Sequence, residues 1–154
     1  MSTTVANILK SKPDAGQTVH TIGKDESVYD ALKLMAIKSV GALVVKEGDD
    51  IVGIVTERDY ARKVVLLERS SKATRIEEIM TVKVRYVEPS ATSDECMALM
   101  TEHRMRHLPV LDNGKLAGVI SIGDLVKSVI ADQQFMISQL EHYIHGTPIG
   151  SDAE

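Results

Sequence analysis

The chain has 154 residues, which is long enough for one compact domain, and 44% of them are hydrophobic. A net charge of −4 and an aromatic content of only 3% disfavour nucleic-acid binding, which needs a basic surface and aromatic stacking platforms. No apolar run is long enough to cross a bilayer, the N-terminus has no export signal, and the single cysteine excludes an internal disulfide. We therefore expect a cytoplasmic protein that binds neither nucleic acid nor membrane.

The first half of the chain predicts a short series of strands and helices. VANIL (residues 5–9) predicts a lead-in turn, and a short strand is expected around residues 19–22. Ser27 predicts the N-cap of a helix whose apolar positions recur at helical spacing. GALVVKEGDDIVGIVT predicts a β-hairpin, because two β-branched runs flank a turn of glycine and aspartate. ERDYARKVVLLER predicts a closing helix, and the polar segment 69–75 a linker.

The same series occurs a second time, 65 residues later. Residues 19–64 align with residues 84–129 without a gap, and eight of the 46 aligned pairs are identical. A second lead-in, IEEIM (76–80), resembles VANIL, and the turn DNGK replaces the first hairpin turn. The alignment predicts two repeats, at residues 1–68 and 76–130, each too small to be stable alone. Their sheets are expected to pack face to face and to leave two clefts for ligands.

The hairpin of each repeat ends in a shared motif, GIVTERD from Gly53 in the first repeat and GVISIGD from Gly118 in the second. We call this motif the phrase. One interpretation is structural: Thr56 and Ser121 are N-caps, and the aspartate three residues later completes a capping box. The other is functional, because a helix N-terminus and a hydroxyl attract phosphate while a carboxylate accepts hydrogen bonds from a ribose diol. In that case the glycine lets a ligand approach the strand closely.

Cations near the phrases favour an anionic ligand. Arg58 lies within the first phrase, Gly123 takes its place in the second, and HRMRHLPV adds cations at the start of the second hairpin. A solvated helix end explains such a basic run equally well.

With these markers the chain resembles a tandem pair of CBS domains, the regulatory repeats first described in cystathionine β-synthase. The resemblance covers residues 5–130 and rests on GIVTERD, GVISIGD, RHLPV and TSDECMALM. It implies an α+β fold of two βαββα CBS repeats packed sheet to sheet with pseudo-twofold symmetry, plus a C-terminal helix extension. It also implies a non-catalytic regulatory module that binds AMP, ADP, ATP or NAD and forms a disc-like homodimer. The sequence does not choose among these ligands or exclude S-adenosylmethionine, because all of them present an adenosine.

The resemblance also assigns residues to two clefts, since in this family the ribose aspartate and much of the adenine pocket come from different repeats. The first cleft comprises Thr56, Arg58, Asp59, Arg85, Val87, Met105, Arg106, His107 and Pro109. The second cleft comprises His20, Ile22, Val40, Gly41, Ala42, Ser121, Gly123 and Asp124. Because Gly41 stands where the second repeat has Arg106, the two clefts are expected to differ in affinity.

The helix that closes the second repeat is expected to continue into the tail (131–154). A seam with a/d spacing runs along it: Val126, Ile130, Gln133, Ile137, Leu140 and Ile144. The seam favours self-association or the docking of an effector protein, and the alternative is a helix folded back on its own domain. Gly146 is expected to end the helix, and the residues after it to fray.

Two other classes of function stay open. An enzyme could use Cys96 as a nucleophile, but Cys96 replaces Ala31 on an apolar helix face, which favours a buried core position. His103 and His107 could hold a metal only if they shared a helix. No phosphate-transfer loop or nucleophile elbow is present, so no catalytic or metal-binding residue is predicted. The remaining class is an interaction or dimerisation module without a physiological nucleotide.

Overall fold

A computed structural model describes residues 3–16 and 19–144, which divide into two compact units. The first unit comprises residues 19–86. The second unit comprises residues 87–144 together with residues 3–16, which contain the first helix, α1 (Val5–Ser11). Each unit combines helices with a small sheet, so the predicted α+β class is confirmed.

The first unit contains a three-stranded sheet. β1 (Thr21–Gly23) runs parallel to β2 (Ala42–Glu47), which pairs antiparallel with β3 (Asp50–Thr56). α2 (Val28–Lys38) joins β1 to β2, and the Ser27 side chain caps it by accepting a hydrogen bond from the third helical N–H. The strand, the capped helix and the hairpin therefore follow the predicted order.

The closing helix of the first repeat is shorter than predicted. α3 (Glu57–Tyr60) continues as a π-helical turn, Ala61–Val65, and helical structure stops there. The predicted linker that follows is bonded to α2: the Val28 N–H donates to the Thr74 carbonyl at 2.8 Å. This contact forms because the first N–H groups of a helix have no intrahelical acceptor. Residues 69–75 are therefore part of the first unit's structure.

In the second unit, α4 (Ser93–His103) precedes an antiparallel pair, β4 (His107–Asp112) and β5 (Lys115–Ser121). The strand predicted ahead of α4 is reduced to one bridge between Val87 and Val110. We attribute the loss to Pro89, which stands where the first repeat has Lys24 and has no N–H to donate.

The second repeat ends in one long helix, α5 (Ile122–Ile144), which follows β5 directly. The prediction that this helix continues beyond residue 130 is confirmed. The predicted stop at Gly146 and the tail after it lie outside the described residues.

Each unit has its own hydrophobic core, and a lead-in segment completes it. Ile76 and Ile79 are buried in the first unit, whereas Val5 and Ile8, their counterparts in the other lead-in, are buried in the second. Both lead-ins therefore bury the same two positions. VANIL packs in the unit of residues 87–144, although the repeat that follows it in sequence is the first one.

The glycine that opens each phrase makes room for a lead-in side chain. A Cβ on Gly53 would lie 2.7 Å from Met80 Sδ and 2.9 Å from the Thr81 carbonyl oxygen. A Cβ on Gly118 would lie 2.7 Å from Leu9 Cδ2. The expectation that these glycines admit a ligand to the strand is therefore wrong, because the space beside each is filled by the chain itself.

This packing predicts unequal costs for two matched substitutions. Gly53→Ala should lower the free energy of unfolding by about 1–3 kcal/mol, because its new methyl group meets a backbone carbonyl that cannot move aside. Gly118→Ala should cost less, because the Leu9 side chain can rotate away. Urea unfolding of the two variants measures the difference, and a larger cost at Gly118 would contradict the packing described.

Candidate functional site

In the first unit, the phrase joins the end of β3 to the start of α3. The Asp59 N–H donates to Thr56 Oγ1 at 3.2 Å, and the Thr56 N–H donates to Asp59 Oδ2 at 3.0 Å. The Thr56 hydroxyl lies 3.2 Å from the same carboxylate oxygen, and Lys63 Nζ lies 3.2 Å from Oδ1. The predicted capping box is confirmed, and its carboxylate is buried, with 8% of Asp59 exposed.

In the second unit, the equivalent residues form the same reciprocal pair. The Ser121 N–H donates to Asp124 Oδ2 at 2.8 Å, and the Asp124 N–H donates to Ser121 Oγ at 3.2 Å. The cation is a different one, because Lys12, just after α1, places its Nζ 3.2 Å from Asp124 Oδ2. A carboxylate has about four lone-pair sites, so a capping box uses only part of its capacity to accept hydrogen bonds.

The start of each hairpin lies beside the hydroxyl residue of its own unit. Ala42 is the register partner of Thr56, and His107 is the register partner of Ser121. The Ile122 N–H donates to the Arg106 carbonyl at 2.9 Å. Within the second unit, Arg106 and His107 are thus neighbours of the Ser121 phrase. Their assignment to the cleft of Asp59, which lies in the other unit, stays a prediction.

The other predicted cleft residues fall into three classes of exposure. Exposed are Arg58, Arg85, Arg106 and Gly123. Partly buried are His20, Val40, Gly41, Met105 and His107. Buried are Ile22, Ala42, Val87 and Pro109, and of these Ile22 and Val87 belong to the hydrophobic cores. The residues predicted for each cleft come from both units, so the assembly of each cleft remains a prediction.

Sequence reasoning missed the two lysines that pair with the aspartates. Lys63 stands four residues after Asp59, a spacing that is typical of ion pairs along a helix and could have been recognised. Lys12 lies far from Asp124 in the chain, and no local pattern connects them. Its Nζ also donates to the Val119 carbonyl at 2.8 Å, so the lysine contacts both β5 and the phrase.

The candidate residues for catalysis are placed in the core or at the ends of helices and strands. Cys96 is fully buried in the second unit, as predicted, and burial raises the pKa of its thiol, with a further contribution from the Glu95 charge. A reactive cysteine needs the opposite shift. His103 ends α4 and His107 begins β4, so the two do not share a helix. Within residues 3–16 and 19–144, no three His, Cys, Asp or Glu side chains are grouped as a metal site requires.

The seam of α5 is exposed. Val126 and Ile130 are each 49% exposed, and the exposed fraction rises to 77% at Ile144. The alternative in which this helix folds back on its own domain is therefore not what the structure shows. Across the described part of the chain, every helix is too short or too polar to cross a membrane.

Comparisons with known proteins point to one family. A family model, the CBS domain, matches residues 15–66 and 76–131. A mitochondrial CBS domain-containing protein of Arabidopsis thaliana is 41% identical over 151 residues, which cover 94% of this chain and 73% of that protein.

Two solved structures are similar in fold and sequence. A CBS-domain protein of Burkholderia ambifaria, named for signal transduction, aligns with a TM-score of 0.82 and 79% identity over 85% of this chain and 96% of that one. A hexameric CBS-CP12 protein of bloom-forming cyanobacteria aligns with a TM-score of 0.72 and 32% identity over 82% of this chain and 71% of that one. Because the family model matches both repeats and the relatives align over most of its length, the chain belongs to the CBS-domain family and carries two CBS domains.

Proposed function

We propose that the protein is a non-catalytic regulatory module that binds an adenine nucleotide (AMP, ADP, ATP or NAD) through Asp59 and Asp124. The observation that carries this proposal is a contrast among the four described helices that have a hydroxyl cap and an acid at the third helical position. At α2 and α4 the acid at the third helical position, Asp30 or Glu95, is exposed. At the two phrases the equivalent side chain is mostly shielded from solvent: Asp59 is 8% exposed, and the Asp124 side chain is 15% exposed.

Capping alone does not require this withdrawal. Taking a carboxylate out of water costs free energy, and an exposed acid serves a helix N-terminus as well. A carboxylate held in place by the backbone N–H of the capping residue keeps further lone pairs, and these are suited to accept both hydroxyls of a ribose. The same arrangement at equivalent positions of both repeats supports two ribose-binding sites rather than two caps.

The regulatory role follows from differential affinity. A nucleotide that binds one arrangement of the protein better than another shifts the population toward that arrangement, and an effector protein can detect the shift. The Burkholderia relative, named for signal transduction, supports this class of function. We place the protein in the cytoplasm, on the basis of its single cysteine.

Thermal melting tests the proposal directly. The purified protein is melted with AMP, ADP, ATP, NAD, S-adenosylmethionine or GTP at millimolar concentration, because a ligand that binds only the folded state raises the melting temperature. A rise with an adenosine compound but not with GTP is expected. The same temperature in every sample would contradict nucleotide binding and favour an interaction module without a nucleotide.

A second property that we propose is homodimer formation through the α5 seam. Ile residues at a and Leu140 at d are typical of paired helices, and their exposure leaves that apolar face uncovered in one chain. The hexameric assembly of the cyanobacterial relative supports association among such chains.

A charge placed on the seam should break the dimer. Ile137→Glu puts a carboxylate at an a position, where pairing would bury it without a partner, so we expect a monomer. Ser138→Glu adds the same charge one residue later, off the seam, and should leave the dimer intact. Sedimentation equilibrium measures the mass of each variant. A monomeric wild-type protein, or an unchanged Ile137→Glu dimer, would overturn the assignment.

A further inference from the structure

The two candidate aspartates differ in how their lysines are held. Lys63 follows Asp59 in the same helical segment, and its Nζ also donates to the carbonyl of Ile79, in IEEIM, at 2.8 Å; its side chain is 43% exposed. Lys12 belongs to the N-terminal segment and pairs with an aspartate in the first turn of α5. The side chains of Lys12 and Asp124 are 23% and 15% exposed, so water screens this pair only in part.

In the second unit, a contact of the Lys12 side chain takes the place of a backbone hydrogen bond that the first unit makes at the equivalent position. There, the Thr81 N–H donates to the Ile54 carbonyl at 2.9 Å and ties the lead-in to β3. Val119 is the counterpart of Ile54, and its carbonyl accepts instead from Lys12 Nζ, at 2.8 Å. The lead-in that packs in the second unit, VANIL, is therefore joined to β5 by the charged side chain of Lys12, and that side chain also contacts the candidate ribose carboxylate.

The pair lies in the wall of a cavity. The cavity has a volume of about 330 Å³ and lies between α1 and α5, with Lys12 and Asp124 among its lining residues. Ligand sites in proteins commonly measure about 300–1,000 Å³, so this space is at the lower end of that range. A ligand that approaches Asp124 from it meets the Lys12 ammonium.

We propose that Lys12 is an internal competitor for ribose at Asp124 and lowers the affinity of that site, an inference that rests on the function proposed above. A ribose that takes the carboxylate displaces the ammonium, and the C-terminal end of α1 loses its link to β5 and α5. The N-terminal end of α1 stays in place, because the Val5 N–H donates to the Ala91 carbonyl and the Ala6 N–H to the Pro89 carbonyl. Occupancy of Asp124 is thereby converted into a local release of the C-terminal end of α1.

Adenosine is the probe for this competition, because it carries the ribose but has no phosphate that Lys12 could attract. Calorimetric titrations use an Asp59→Asn background, in which Asp124 is the remaining ribose carboxylate. Lys12→Met should raise the adenosine affinity about 3- to 10-fold, which matches the loss of one partly screened ion pair. Lys12→Arg keeps a cation and should leave the affinity low. Lys127→Met removes a charge from the same cavity without touching the pair and should have no effect.

Hydrogen exchange provides a second readout that needs no nucleotide. Lys12→Met should speed amide exchange several-fold at the C-terminal end of α1, and Lys127→Met should not. Faster exchange together with tighter adenosine binding supports the proposal, whereas unchanged or weaker adenosine binding overturns it. The same titrations are repeated with ATP. If neither adenosine nor ATP binds any variant, both the proposed function and the competition fail, and the exchange data then test only whether Lys12 holds the C-terminal end of α1 to β5 and α5.

Discussion

Replacing Asp59 by alanine should weaken adenine-nucleotide binding about 10- to 100-fold, because a hydrogen bond to a charged group contributes roughly 1.5–3 kcal/mol. The same change removes one partner of the capping box and should lower the free energy of unfolding by only about 1 kcal/mol. Titration calorimetry measures the affinity of the first site, and urea unfolding measures the stability. The two effects separate a ribose ligand from a structural cap.

Two further variants make this result interpretable. Asp30→Ala changes an exposed aspartate at the same helical position of α2, so it should leave nucleotide affinity unchanged. Asp59→Asn keeps an acceptor for the Thr56 N–H but removes the charge and one acceptor, so binding should fall while the cap persists. Wild-type affinity in Asp59→Ala would sink the ribose role and leave the cap as the full explanation of the phrase.

Ile76→Ala should lower the free energy of unfolding by about 2–5 kcal/mol, a larger loss than we expect from either glycine substitution. Ile76 is fully buried, and it packs in the core of the first unit although its sequence position opens the second repeat. The expected loss combines the hydrophobic transfer of the deleted atoms with the cavity that remains.

The matched control for this prediction is Ile37→Ala. Ile37 lies on α2 of the same unit and is 72% exposed, so its truncation should change stability by less than about 0.5 kcal/mol. Chemical unfolding, followed together with hydrogen exchange in residues 19–86, compares the two variants. Equal costs would show that the lead-in does not complete the first core.

Local patterns made much of the fold predictable. The capped helix after Ser27 was recognisable because a hydroxyl preceded an apolar helical period. The second hairpin was recognisable because Asn113 and Gly114 can adopt the positive φ angles of 51° and 80° that its turn requires. The gap-free repeat carried both assignments from one half of the chain to the other.

The remaining features depend on contacts that no local pattern encodes. VANIL resembles IEEIM, but this resemblance does not reveal that VANIL packs in the core of the second unit. The role of Gly53 is set by Met80, which is distant in sequence, and Asp124 meets Lys12 only in the folded second unit. At the candidate site, the hydroxyl and carboxylate residues could be predicted from their spacing, whereas their cations could be found only in the structure.

The most direct test of ribose binding by the repeated aspartates is a titration of ATP and AMP into the wild-type protein and into the Asp59→Asn/Asp124→Asn double variant. The double variant keeps acceptors for both capping boxes, so it should stay folded. We expect the wild-type protein to bind at least one of the two nucleotides and the folded double variant to lose most of that affinity. Equal affinity in the two proteins, or no binding by either, would contradict the claim that these aspartates bind ribose.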